Sequence, residues 1–237
     1  MNKAIVFVRL FTVASMVSAA PKEVAKQKEA DWRDGRYANV KFGPFVSGHI
    51  ATPKGGTHKG IAIRVGEKGE GTMVFDTDLC AWRAGWTGGF LKADPTRYGL
   101  IRALKPEGEI LFASPPVPGV ADAKGSFTDP RKLRHGPLPR RHARFKGIYL
   151  NGGHVVVRYD LGPTQIYDSP GLLKGRDGSN QLVRRLLIRV PEEDDRAFEF
   201  RDPSANINVA ELLEVREGVS INPGPLRALL NPGPRRW

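Results

Sequence analysis

Asp76 and Asp78 flank a single threonine in the stretch FDTDLCAWRAGWTGGFL, residues 75–91, which also holds Trp82, Arg83, Trp86 and the sole cysteine, Cys80. On a strand, alternate side chains share a face, so the two carboxylates are expected side by side. Such a pair can hold a hard cation or divide acid and base roles, and with Arg83 nearby this is chemistry that a polysaccharide hydrolase or lyase needs. Aspartate is depleted within strands and favoured at turns, so the competing expectation is a pair that closes a strand and accepts the N–H groups of the following turn. A metal would need further oxygen ligands that the spacing does not supply. Trp82 and Trp86 lie four residues apart and stack on one side if CAWRAGW forms a helical turn. They then either pack in a core or offer rings to sugar faces, with Arg83 and the aspartates as polar contacts. Thr87-Gly88-Gly89 permits a sharp bend.

Cys80 excludes an intramolecular disulfide and any Cys-x-x-Cys pair. It reads as a small buried residue, because a nucleophile needs a base and an oxyanion site that no neighbouring sequence provides. The serine-hydrolase elbow, the His-Glu-x-x-His zinc helix, the P-loop and the dinucleotide-binding glycine turn are all absent. The histidines, His49, His58, His135, His142 and His154, show no ligand spacing. No catalytic residue, metal or cofactor is therefore assigned.

A second candidate is DPRKLRHGPLPRRHARFKG. It carries Arg131, Lys132, Arg134, Arg140, Arg141, Arg144 and Lys146, with His135 and His142 and no acid between Arg131 and Lys146. Cations in that density can neutralise several phosphates or sulfates, with affinity that falls as salt rises. The plain alternative is a solvated loop, which the prolines suit. Phe145 is the only aromatic nearby, and a single-strand nucleic-acid binder needs interleaved aromatics, so nucleic acid is disfavoured.

The elements that must position these residues read as strands. GIAIRVG and TMVFDTDL alternate on either side of the turn EKGEG, giving a hairpin. EILFASPP is a short strand stopped by prolines. KGIYLNGGHVVVRYDLG is a hairpin turning at Asn151-Gly152. DSPG reads as a turn, QLVRRLLIRVP as a strand ended by Pro191, and FEFRD as one more short strand. With 27 Gly and 19 Pro, the chain favours short strands and tight turns over a helical bundle. The fold class expected is mainly β, an antiparallel two-sheet sandwich or an enlarged version of one, with a β-barrel as runner-up.

The N-terminus places Lys3 and Arg9 before an apolar run, Leu10 to Val17, followed by small residues, the three parts of a secretory signal peptide cut after Ala19. The run is too short to span a bilayer, which needs about 20 residues. Residues 20–30 are charged and read as a flexible lead-in, residues 31–215 as the β-rich domain, and residues 216–237, with Asn-Pro-Gly-Pro twice, as an extended or disordered tail. The formal charge is +12, and removal of the leader takes two cations and no acid, so the exported chain stays basic and attracts anionic partners.

FGPFVSGHI, then KGIAIRVGEKGEGTMVFDTDLCAWRAGWTGGFL, then FKGIYLNGGHVVVRYDLG resemble the uncharacterised N-terminal domain of large exported bacterial proteins, over roughly residues 31–200. Those proteins often also carry c-type cytochrome modules or propellers similar to sugar-dehydrogenase domains. The resemblance implies a β-rich fold and no transferable catalytic residues. This chain has no Cys-x-x-Cys-His haem site, so an electron-transfer role implies a separate cytochrome or dehydrogenase partner. The function expected is an exported, periplasmic or extracellular, binding or accessory module that recognises carbohydrate or another anionic envelope polymer, or docks to such a partner. The alternative is a hydrolase or lyase acting through Asp76 and Asp78.

Overall fold

The computed structural model describes residue 35, residues 37–96, 98–99, 101–122 and 124–191, and the backbone of one further strand at 207–216. The expected leader, the expected lead-in, the FEFRD segment and residues 217–237 lie outside the described residues. All the described residues fall in one compact unit, Trp32–Trp237. They contain strands and no helix.

The strands are β1 (Phe45–Ile50), β2 (Thr57–Val65), β3 (Gly71–Asp76), β4 (Ala81–Thr87), β5 (Leu91–Lys92), β6 (Lys105–Pro106), β7 (Glu109–Ala113), β8 (Arg144–Asn151), β9 (His154–Leu161), β10 (Thr164–Lys174), β11 (Asn180–Val190) and β12 (Ile207–Arg216). One sheet has the order β1-β2-β3-β4-β7 and the other β12-β11-β10-β9-β8, with β5 and β6 forming a small ribbon. Both large sheets are open, so the architecture is a sandwich and not a barrel. Every pair is antiparallel except β11 with β12, which run parallel.

Sequence alternation explains the inner face. Ile61, Ile63, Met73 and Phe75 of the first sheet meet Val155, Val157, Tyr159, Ile166, Leu182 and Leu186 of the second in one buried cluster. The outer face of the first sheet is also apolar. Ile50, Ala62, Val74, Ala84 and Trp86 are covered by Phe90, Leu91, Ala93 and Leu104 from the segment that carries β5 and β6. Burial on both faces is why the alternating side chains of β3 and β4 are buried throughout.

Three sequence expectations are corrected. CAWRAGW is not a helical turn, because Ala81–Thr87 pair with both β3 and β7 as a central strand. The β8–β9 hairpin turns at Gly152-Gly153, one residue later than expected, since Asn151 pairs with His154. Gly152 has φ +58 at the first central position, as a type II′ turn requires. DSPG is not a turn, because Asp168–Gly171 run through the middle of β10. Proline is tolerated there because the β9 ladder stops at Asp168, so Pro170 faces no strand that needs its missing N–H.

Gly85 sits where a neighbouring strand and the opposite sheet both crowd β4. A Cβ on it would overlap the Phe112 ring edge and a Leu182 methyl, both buried. Gly85→Ala is therefore expected to lower stability by about 1–3 kcal/mol through overpacking. A denaturation midpoint equal to wild type would show that the sheets close less tightly than described.

Candidate functional site

The β3–β4 turn decides what Asp76 and Asp78 do. β3 ends at Asp76 and the chain turns through Thr77–Cys80, so the strand alternation that would pair the carboxylates is broken. Asp76 Oδ1 accepts the N–H groups of Asp78 and Leu79 at 3.0 and 3.1 Å. Its Oδ2 accepts Arg83 Nη1 at 3.3 Å in a pair that is buried on both sides. Asp78 is instead partly buried, 3.3 Å from the exposed Lys59 Nζ. The carboxylates diverge, one locked as a turn cap and one in a rim ion pair, which is the turn-closing expectation rather than the acid/base one.

Arg83 is fully buried. Its Nε donates to the Ser114 carbonyl at 3.2 Å and its Nη2 to the carbonyls of Lys54 and Gly55 at 3.1 Å each. Burial pushes its pKa down while the Asp76 charge pushes it back up. Its head group is occupied in tying the 52–55 loop and the residue after β7 to the turn. No guanidinium edge is left for a ligand.

Arg83 is also the extra residue of a β-bulge. Val74 pairs with Ala84 and Phe75 with Trp82, so two residues of β4 cover one step of β3. The bulge inverts the alternation of β4. Trp82 faces the inter-sheet core and Trp86 faces the outer cluster, although four residues of regular strand would put them on one side. Both indoles are buried, at 3% and 0% exposure, so they form no platform for a sugar. Trp86 Nε1 donates to the Phe90 carbonyl at 2.9 Å, and Trp82 packs edge-on against Phe75 at 5.2 Å.

Trp82 leads to a site that sequence reasoning missed. Its Nε1 donates to Asp168 Oδ2 at 3.0 Å across the two sheets. Tyr159 Oη donates to the same oxygen at 3.1 Å, and Arg184 Nη2 meets it at 2.5 Å while Arg184 Nε reaches Oδ1 at 3.3 Å. Asp168, Tyr159 and Arg184 are all buried. Arg184 stands diagonally from Asp168, since Asp168 pairs with Leu186 on the neighbouring strand. An aspartate inside what reads as a turn gave no sign of burial.

Cys80 is buried in a left-handed conformation, φ 47, and burial pushes its thiol pKa up. Burial likewise raises that of Tyr159, with Asp168 adding to the effect.

The basic segment is divided by the structure. Arg131 is withdrawn from the polyanion set: its Nε and Nη2 each lie 2.9 Å from an Asp129 oxygen, and its Nη1 donates to the Gly136 carbonyl. The acid that takes it lies two residues upstream of the acid-free stretch. Lys132, Arg134, Arg140, Arg141 and Arg144 are exposed and take part in no ion pair among the described residues. Lys146 lies 3.5 Å from Asp160. Leu138 and Ala143 are buried anchors, and the Leu138 N–H donates to the Asp78 carbonyl at 2.9 Å, so the cationic loop is pinned beside the β3–β4 turn. His142 holds the Val120 carbonyl at 2.9 Å. His49 and His58 approach to 4.6 Å between ring centroids, but no group of three or more metal-ligating side chains forms among the described residues.

On the outer face of the second sheet, strand alternation gathers Tyr149, Arg158, Tyr167 and Arg189. The two tyrosine rings are 5.8 Å apart, and the guanidiniums of Arg158 and Arg189 lie 5.6 and 5.2 Å from the Tyr167 ring centre.

The fold and this constellation define an open two-sheet β-sandwich with a buried ionic core and a cationic loop. Residues 73–168, from β3 to the Asp168 carboxylate, match the family model of a domain of unknown function, DUF6797. No curated protein and no solved structure matches the chain. Among the described residues, no helix is long and apolar enough to cross a membrane.

Removing the Asp168 carboxylate leaves Arg184 buried without its counter-charge, and Asp168→Ala is expected to cost about 3–5 kcal/mol. Trp82→Phe, which removes only one donor from that carboxylate, costs about 1–3 kcal/mol. Equal midpoints for Asp168→Ala and wild type in chemical denaturation would show that the network carries no net stability.

Cys80 and Tyr159 also set an alkaline limit. Their unfolded pKa values are about 8.5 and 10, and burial raises both in the folded state, so above those values the unfolded chain releases protons that the folded chain keeps. Stability is therefore complete below about pH 8 and falls as pH rises, by up to about 1.4 kcal/mol per pH unit for each group. Cys80→Ala is expected to flatten the fall between about pH 9 and 10, and parallel curves for variant and wild type would remove Cys80 from this account.

Proposed function

We propose that the protein is an exported β-sandwich module that binds an acidic polysaccharide of the cell envelope or its surroundings. The observation that carries this reading is the loop from Lys132 to Arg144. It presents five exposed cations with no ion-pair partner among the described residues, on a backbone held in place by buried Leu138 and Ala143. An anchored loop backbone spares the cost of ordering the chain when a polyanion docks, and release of the polymer's counterions favours association. The leader-like N-terminus and the resemblance to domains of exported proteins support a place outside the cytoplasm. The hydrolase or lyase alternative is not pursued, because Asp76 is buried as a cap and Asp78 faces Lys59.

Binding to polygalacturonate, measured over a range of salt, tests the reading. Wild type is expected to bind with a steep salt dependence and to ignore neutral dextran. Replacing Arg134, Arg140, Arg141 and Arg144 together by Gln should lessen the slope of log affinity against log salt by roughly three. An unchanged slope in that variant, with its fold intact, rules out the loop.

A further inference from the structure

The outer face of the second sheet continues the cationic loop. β8 begins at Arg144, the loop's last cation, and Arg144 pairs in register with Asp160, Asp160 with Gln165, and Gln165 with Arg189. Four strands thus carry one row of side chains from Arg144 to Arg189, about 14 Å at the usual strand spacing. In the next row Gly147 pairs with Arg158 and Arg158 with Tyr167. A Cβ at Gly147 would meet nothing within 4 Å, so the space beside Arg158 on the edge strand is open.

The charge balance of this face is positive. Asp160 stands 3.5 Å from both Lys146 and Arg158, at ion-pair distance from each. Its Oδ1 and the Arg158 Nε are buried and make no hydrogen bond among the described residues, so neither cation fully satisfies it. Arg189 is exposed on the Tyr167 ring, and no carboxylate pairs with it among the described residues. Among the described residues of these rows, one carboxylate therefore stands with four cations, Arg144, Lys146, Arg158 and Arg189. Beside them Tyr149 is 40% exposed, with its ring tilted 44° from that of Tyr167.

We infer that this face, resting on the polyanion reading above, gives the module its ligand class: a chain of carboxylated sugar rings. Guanidiniums take planar carboxylates through paired N–H donors, and stacking on Tyr167 holds those of Arg158 and Arg189 in orientation. The exposed Tyr149 ring offers an apolar face for a pyranose, which a phosphate chain cannot use. The loop supplies long-range attraction, and the sheet face supplies recognition of the ring and its acid group.

Polygalacturonate and linear polyphosphate, titrated against the intact protein, separate the two parts, with thermal melting of each variant to verify the fold. Tyr149→Ala is expected to weaken polygalacturonate binding roughly three- to tenfold and leave polyphosphate binding as it is. Tyr149→Phe, which keeps the ring but loses the hydroxyl's hydrogen bond to Arg158, should weaken it less than Tyr149→Ala does, and Arg189→Gln should weaken it. If Tyr149→Ala and Arg189→Gln bind polygalacturonate as wild type does while the loop variant does not, the sheet face is overturned and the loop reading stands. If Tyr149→Ala loses polyphosphate equally, the face senses charge alone and ring recognition is overturned. If wild type binds neither polymer, both readings fall.

Discussion

The Asp168 carboxylate takes hydrogen bonds from both sheets at once: Trp82 from the first, Tyr159 and Arg184 from the second. An ionised carboxylate between two apolar sheets is costly unless its lone pairs are filled and its charge is matched. Those directional bonds join the two sheets at one point within the surrounding close-packed apolar core. Phe75, stacked on Tyr159 at 5.6 Å and edge-on to Trp82, fills the space beside the network. The family match runs from Met73 to Asp168, so it begins in the strand that packs on Trp82 and ends on the residue that accepts its indole N–H.

The bulge at Arg83 serves that constraint. Without the bulge, four steps of regular alternation would put Trp82 and Trp86 on one face, and either the inter-sheet network would lose its indole donor or the outer cluster would lose its largest ring. With it, one strand delivers a tryptophan to each of two cores. The bulged residue itself is an arginine whose buried charge is met by Asp76 and three backbone carbonyls. The residues that most resemble an active site are thus spent on holding the molecule together.

In the proposed reading, binding falls to groups outside the two apolar clusters. The second sheet is buried on its inner face and carries tyrosines and cations on its outer face, and its edge strand begins where the cationic loop ends. Loop and face are continuous, because the loop is anchored beside the β3–β4 turn and its last cation is already part of the sheet. An extended acidic ligand suits such a strip better than a small one, which would meet only part of it.

Alternation, turn residues and the lack of helical periodicity were enough to determine a β-sandwich, the β2–β3 and β8–β9 hairpins, and a cationic segment between them, because these features arise from neighbours close in the chain. Tertiary structure alone decided which face each side chain took in β4, since a bulge shifts the alternation by one and leaves no mark in composition. It also decided that DSPG is strand, because whether a proline is tolerated depends on where the neighbouring ladder ends. Likewise Arg131, outwardly one cation among several, is claimed by Asp129, and Asp168 and Arg184, 16 residues apart, meet only through strand pairing. Burial and ion pairing are properties of what the fold brings together, and the residue types of FDTDLCAWRAGWTGGFL are the same for a binding site and for a core.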